Sequence, residues 1–327
     1  MMGAIRTYRE TDFDTLRELI NLVARSRTMT PGALREFLDY PWFRLDTDLF
    51  VVPADGANGL LGARDVRVWA RGDEAVPILE SWGVVHQNDG APPAAGDLMQ
   101  AALRRAGQMV GERGATRGIF QARCDEDDEA AMRLFESCGL RQARVLLTIL
   151  RPNLEDLAPA QFPEHIAVRP YRMGDEARWV SAFNEAFADH WGGFMGMSLP
   201  MWTKYVHRPW FKPEISLVAW DGPEIAGFGH FIINDEKNAL TGQKRSLMRY
   251  IGVRPHWRGI GLGVALTRAG LIASKAKGMA ACLSGVDSEN VTGAHHIYER
   301  EGFVTIKRHV MYRTEIEAAS HRFASPR

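Results

Sequence analysis

The chain has 327 residues, enough for two ordinary domains, and its 46% apolar content supports a packed core in each. Forty basic and forty acidic side chains cancel, which argues against nucleic acid or an anionic membrane as a partner. No apolar run of about 18 residues is present to span a bilayer, and Met1 to Glu10 lacks the apolar core of a signal segment. Cys124, Cys138 and Cys282 show no CxxC spacing, so buried free thiols, a cytoplasmic location and no metal are expected.

In chain order, each half predicts a strand, two helices, a run of strands, a helix, a strand, a helix and a last strand. Ile5-Arg6-Thr7-Tyr8-Arg9-Glu10-Thr11-Asp12 opens the first half and returns as Ala167-Val168-Arg169-Pro170-Tyr171-Arg172-Met173-Gly174-Asp175. Pro41-Trp42-Phe43 returns as Pro209-Trp210-Phe211, and Ala102-Leu103-Arg104-Arg105-Ala106-Gly107 as Ala265-Leu266-Thr267-Arg268-Ala269-Gly270. Leu134-Phe135-Glu136-Ser137-Cys138-Gly139-Leu140 returns as Ile297-Tyr298-Glu299-Arg300-Glu301-Gly302-Phe303. Tyr8, Leu103 and Phe135 each precede their counterparts by 163 residues, so separated blocks hold one register. The joint is expected at 151–164, where Pro152, Pro159 and Pro163 interrupt regular structure. The expected partition is therefore 1–150, a linker 151–164, a second domain 165–318 and a tail 319–327.

In the second half the spacing predicts a strand at 167–171 and helices near 175–188 and 200–207. Strands near 216–220 and 224–234 follow, then a polar, turn-rich hairpin or loop at 235–245. A strand at 246–253, a helix near 263–277 and a strand at 280–286 complete the sequence of elements. Leu262, Ala265, Leu266 and Ala269 are the expected buried face of that helix.

Between the strand and the helix lies Arg254-Pro255-His256-Trp257-Arg258-Gly259-Ile260-Gly261-Leu262-Gly263. Glycines permit close backbone approach and positive φ, and a helix start offers free N–H groups, so this turn suits a pyrophosphate. No Gly-Lys-Ser/Thr ending is present, and the dinucleotide fingerprint needs a glycine where Val264 or Leu266 stands. The match is to Arg-x-x-Gly-x-Gly, from Arg258 through Gly261 to Gly263, which resembles the acetyl-CoA loop of the GNAT superfamily of N-acetyltransferases. Downstream, Asn290-Val291-Thr292-Gly293-Ala294 followed by Tyr298-Glu299-Arg300-Glu301-Gly302-Phe303 resembles that family's Asn-x-x-x-Ala…Tyr-Glu-x-x-Gly-Phe segment. Ala294, Ile297 and Tyr298 share one helical face, and Gly302 reads as the helix stop. The alternatives are a plain glycine-rich turn and a core tyrosine.

The resemblance implies an α/β (α+β) fold of two tandem GNAT domains, each a mixed, mostly antiparallel central sheet flanked by helices. It implies acetyl-CoA as co-substrate, held by Ile251, Gly252, Val253, Arg258, Gly259, Ile260, Gly261, Leu262, Gly263 and Asn290. Direct transfer to an amine in a ternary complex follows from it, with Tyr298 as the acid that protonates the leaving thiolate. Cys282 lies in a strand pattern without a base beside it, so no covalent enzyme intermediate is called for. Many relatives carry a glutamate on the strand entering the loop, but Ser246-Leu247-Met248-Arg249-Tyr250-Ile251-Gly252-Val253 has no carboxylate. A water relay, Tyr250, Asp287 and His190 are the candidate bases, and a backbone N–H near Ile251–Val253 is the candidate oxyanion donor.

The same resemblance makes the halves unequal. At the repeat offset Arg258 falls on Ala95, Gly261 on Leu98, Gly263 on Gln100, Asn290 on Asp127 and Tyr298 on Phe135. Asp97 repels phosphate, and Pro92 and Pro93 lack N–H donors, so the first half reads as a degenerate domain.

The acceptor pocket is expected from 186–195 with Trp202, Tyr205, His207 and Trp210, against which stands ordinary aromatic core packing. Within the tandem group the chain is similar to mycothiol synthases, most from Asn184 to Arg313. The residues are Ala186-Phe187-Ala188-Asp189-His190, Gly252-Val253-x-Pro255, Gly261-Leu262-Gly263, Val286-Asp287-x-x-Asn290 and Val310-Met311-Tyr312-Arg313. That family acetylates the cysteinyl amine of a pseudodisaccharide thiol precursor, so a small-molecule amine acceptor is implied. A monomer or homodimer is expected. Antibiotic-modifying or peptide N-acetylation, or a CoA sensor without turnover, remain the rival readings.

Overall fold

Short strands and capped helices alternate along the chain in the computed structural model, which describes residues 4–23, 29–39, 43–54, 59–71, 76–86, 91–192, 196–289 and 294–319. The elements begin with β1 (Arg6–Thr7), α1 (Phe13–Val23), α2 (Pro31–Leu38), α3 (Leu45–Asp48), β2 (Leu49–Pro53), β3 (Leu60–Asp65), β4 (Arg67–Arg71), β5 (Pro77–Ser81) and β6 (Gly83–Val85). They continue with α4 (Ala91–Gly111), β7 (Arg117–Asp125), α5 (Glu129–Ser137), β8 (Arg141–Arg151), β9 (Ile166–Pro170), α6 (Glu176–Ala186), α7 (Leu199–Val206), β10 (Leu217–Asp221) and β11 (Glu224–Ile232). The last are α8 (Asp235–Thr241), β12 (Arg245–Val253), α9 (Leu262–Ala276), β13 (Ala281–Asp287), α10 (Ala294–Arg300) and β14 (Val304–Glu317).

Two compact units divide the chain, residues 1–143 with 310–327, and residues 144–309. The boundaries fall inside β8 and β14 rather than in the proline-bearing stretch 151–164. Prolines break regular structure, but β8 pairs through Leu146–Arg151 with β13 before they are reached, and that pairing assigns it to the second unit.

In the first unit, β1, β2, β3 and β6 form an antiparallel sheet over a core of Leu16, Leu19, Ile20, Leu34, Leu49 and Val51. Thr30 Oγ1 accepts from the Ala33 amide and Pro31 follows at the first helical position, which fixes the start of α2. The second core holds Leu79, Met99, Ala106, Phe120, Phe135 and Tyr312.

In the second unit the strand order is β8-β13-β12-β11-β10-β9. All neighbours are antiparallel except β12 and β13, whose parallel pairing requires the α9 crossover. One core, with Trp179, Phe183, Trp202, Phe211 and Phe228, lies under α6 and α7. Others, with Phe231, Leu271, Cys282 and Tyr298, and with Leu262 and Leu266, lie under α9 and α10. Leu262, Ala265 and Leu266 are buried as expected, while Ala269 is only partly buried and Leu271 takes its place in the core. The expected loop at 235–245 is in part helix α8: Asn234 Oδ1 accepts from the Lys237 amide, Asp235 and Glu236 sit in the first turn, and Gly242 closes it at φ +65°. Cys124 and Cys282 are buried free thiols, but Cys138 is only partly buried. Among the described residues no helix is long and apolar enough to cross a membrane.

Candidate active site

The site begins where β12 and β13 part. They pair only from Arg245 with Ala281 to Met248 with Ser284. Ser284 Oγ donates to the Met248 carbonyl at that apex, 3.0 Å away, and beyond it the strands diverge into a wedge. The cause is local. Tyr250 faces His230 on β11 while Met248 faces Phe231, so Arg249 is an extra residue on β12, and a bulge of this kind bends the strand. The Arg254 amide donates to Ala226 O of β11 at 3.0 Å. By the alternation of an antiparallel ladder, Gly252 and Tyr250 then point the same way, and Ile251 and Val253 turn their main-chain groups into the wedge.

At the mouth of the wedge the chain makes the Arg254–Gly261 turn and starts α9. Trp257 Nε1 donates to Asp221 at 2.9 Å, and Arg254 pairs with Glu185 at 2.8 Å and Glu224 at 3.1 Å, so the turn is pinned at its base. Gly259 and Gly261 have φ of +82° and +81°, with Gly261 at the N-cap of α9. A side chain at either would meet no atom within 4 Å, so the glycines serve backbone conformation and leave the turn open to a ligand.

The other expected loop residues divide by role. Leu262 is buried in the core, Ile260 is exposed, and a Cβ at Gly263 would meet only Val253 Cγ2, at an ordinary 3.8 Å. Gly252 serves packing, since a Cβ there would lie 2.2 Å from Phe228 Cζ. Arg258 does not stand free for phosphate: it donates to both carboxylate oxygens of Asp189, at 2.6 and 3.2 Å, to Ala186 O at 3.0 Å and to Val253 O at 3.2 Å. The hydrogen bond to Arg258 holds the Asp189 carboxyl below its usual range. Asn290 lies outside the described residues.

Tyr298 sits on α10, whose end is set by Gly302 at φ +78°. Its cluster includes Val286, with Ile251 packed against it, so it gathers residues from both lips of the wedge. Burial pushes its hydroxyl up to about 12, so a phenol already protonated at neutral pH stays so further into the alkaline range.

Residues 186–191 form a strap with two fastenings. Arg258 holds Ala186 and Asp189 at one end. At the other, the Arg144 guanidinium lies 4.7 Å over the Trp191 ring and pairs with Asp287 at 3.0 Å and Glu289 at 2.6 Å. Asp287, a candidate base in the sequence, is thus committed to Arg144 and to the Glu289 amide. His190 stands between the fastenings.

Of the expected acceptor-pocket aromatics, Trp202 is fully buried and stacks on Trp179 with ring centres 3.5 Å apart. Tyr205 stacks on Trp202, Trp210 packs on Tyr205, and the exposed His207 bonds back to Thr203 O of its own helix. These are core and capping residues. Sequence reasoning missed His230, fully buried between Ser216 Oγ (2.8 Å) and Tyr205 Oη (2.9 Å). Burial pulls its pKa down to about 3, so it is neutral.

Residues 180–303, which contain the wedge, the glycine turn, the strap and Tyr298, match the family described as Acetyltransferase (GNAT). They form a GNAT domain. A mycothiol acetyltransferase from Streptomyces scabiei is 36% identical over 191 residues, covering 57% of this chain and 58% of that relative. One from Thermobispora bispora is 32% identical over 193 residues, covering 57% and 63%. The match thus spans less than two thirds of these curated relatives. Among solved structures, a GCN5-related N-acetyltransferase from Sphaerobacter thermophilus superposes with a TM-score of 0.73 at 23% identity, over 97% of this chain and 96% of that one. A tandem GNAT protein from the clavulanic acid biosynthesis pathway gives 0.67 at 13% identity, over 97% and 99%. The GNAT domain therefore lies within a chain whose fold has tandem-GNAT counterparts.

Proposed function

We propose that the second unit transfers acetyl from acetyl-CoA to a primary amine of a small molecule, directly and in a ternary complex, and that the first unit is a degenerate GNAT domain. The observation that carries this is the wedge beyond Met248 and Ser284 opening beside the Gly259 and Gly261 turns at the start of α9. The turn and the helix start supply N–H groups for a pyrophosphate. Ile251 offers main-chain groups to an extended amide-bearing arm and Val253 its amide, the Val253 carbonyl being taken by Arg258. The reactive chemistry of the co-substrate is its acetyl thioester.

The chain's own residues supply the rest. The Ile251 or Val253 amide donates to the carbonyl oxygen as negative charge develops there. Tyr298 holds a proton for the departing sulfur, whose thiol has an ordinary pKa of about 8.5. Asp189 and Arg258 fix the strap against the loop, so donor site and acceptor side share one fastening.

For the acceptor we infer a cysteinyl amine on an amino sugar. The mycothiol acetyltransferase relatives support this reading, and a cytoplasmic reaction is consistent with it. Calorimetric titration with acetyl-CoA, followed by thiol release in the presence of N-cysteinyl glucosamine, tests it. One site per chain with acceptor-dependent release is expected. Absence of binding overturns the assignment, and binding without release to any amine favours a CoA sensor.

A further inference from the structure

The GNAT domain has no carboxylate on β12, and Asp287 is held by Arg144, so the proton on the acceptor nitrogen needs another destination. His190 is placed to be one. Its ring packs edge-on against Phe187, centres 5.9 Å apart, and Phe187 packs in the same way against Tyr250 at 6.0 Å. Tyr250 lies on the β12 lip of the wedge. On the opposite side, Trp191 lies under Arg144, which grips Asp287 at the end of the β13 lip. The strap therefore runs from the Tyr250 side to the Asp287 side of the parted strands, with His190 exposed between its two ends.

We propose that His190 takes the proton from the acceptor amine, and that a histidine in this role selects α-amines over alkylamines. The proposal rests on the acetyl-transfer reading above. Nitrogen bonds to the acetyl carbon as the carbon–sulfur bond breaks. His190 first takes the ammonium proton and passes it to water; the proton the nitrogen sheds as it bonds then goes to the imidazole and the Tyr298 proton to the sulfur, and both groups re-equilibrate with water.

The charged groups facing His190 are Asp287 from β13, Asp189 from the strap and Arg144 from β8. Desolvation outweighs the two carboxylates and sets its pKa below the ordinary value, although part of the residue is exposed. The ring is therefore neutral and able to accept a proton at pH 7. An imidazole of pKa about 6.5 or less is a poor match for an alkylammonium near 10.4, but a workable one for an α-ammonium near 7.7–8.0. A cysteinyl amine is of the second kind. This accounts for acetyl transfer without a strand carboxylate.

His190→Gln and His190→Ala test it, with acetyl-CoA affinity measured alongside. Against N-cysteinyl glucosamine, kcat should fall about 100-fold while the Kd for acetyl-CoA is unchanged. Transfer to hydroxylamine, neutral at pH 7 and so spared the first deprotonation, should be impaired less than transfer to the cysteinyl amine in both variants, and added imidazole should restore part of the His190→Ala rate. The wild-type kcat/KM should rise with pH through a value below about 6.5, a limb that His190→Gln removes. It should also favour the cysteinyl amine over an aminopentyl glycoside. An unchanged kcat, or a loss shared equally by hydroxylamine, overturns the role of His190 while leaving acetyl transfer intact. Wild-type protein that binds no acetyl-CoA overturns acetyl transfer itself, and this proposal with it.

Discussion

The two units repeat the same side-chain fastenings and then part company at the wedge. Arg6 grips Asp12 through two hydrogen bonds of 2.7 Å, and Arg169 grips Asp175 through bonds of 2.7 and 2.9 Å. Asn21 brackets the backbone of Met29 as Asn184 brackets that of Met197, accepting from its amide and donating to its carbonyl. In both, the strand that enters the wedge pairs in parallel and then stops, at Ser81 with Ala122 and at Met248 with Ser284.

Beyond that point the second unit has an open glycine turn, whereas residues 95–100 of the first, its counterparts by the repeat, lie within α4. The first wedge is also filled. Arg64 donates to Ser81 Oγ at 3.1 Å, lies against Gly83, and has Phe135, the counterpart of Tyr298, 5.8 Å beneath its guanidinium. Burial pulls the Arg64 pKa down to about 10. Glu80, one residue before the last parallel pair, stands where the second unit has Leu247. The fastenings thus recur in both units, while the wedge residues differ: an open glycine turn in the second and a buried arginine in the first.

The sharpest break in this comparison is Tyr298→Phe, which makes the second unit resemble the first at that position. Turnover should fall at least about 100-fold with acetyl-CoA affinity retained, by steady-state rates and calorimetry. With the Tyr298 hydroxyl at about 12, the acid stays protonated and its alkaline limb should lie well above pH 10. An unchanged rate removes Tyr298 from the mechanism.

Gly261→Val imposes a left-handed conformation on a branched residue, at a cost of about 1–2 kcal/mol, and roughly tenfold weaker acetyl-CoA binding is expected. Retained affinity would show that the turn does not contact the co-substrate. Arg258→Ala should act mainly through the strap: a few-fold rise in the acceptor KM, exceeding any change in acetyl-CoA Kd. The reverse ranking would return Arg258 to direct phosphate contact.

The smallest functional effect is expected in the first unit. A Cβ at Gly83 would come 2.7 Å from Arg64 Cζ, so Gly83→Ala should cost about 1 kcal/mol of stability, read as a lower Tm. Acetyl-CoA stoichiometry and affinity should not move. A second binding site per chain, lost in this variant, would erase the contrast between the units.

The sequence by itself determined the repeat, the strand–turn–helix around Arg258–Gly263 and the helix carrying Tyr298. Each is written in local signals: hydrophobic period, capping residues and glycines at positive φ. It also showed the absence of a carboxylate on β12. Tertiary structure decided what these residues do. Arg258 reaches back to Asp189 and Ala186, Asp287 is taken by Arg144, and Trp202 became core by stacking face to face on Trp179. The Arg249 bulge that opens the wedge exists only relative to β11, and His190 gains its setting only when the strap lies between Tyr250 and Asp287. Backbone conformation is set by neighbours in sequence; ion-pair partners, burial and proton affinity are set by neighbours in space, which spacing along the chain does not encode.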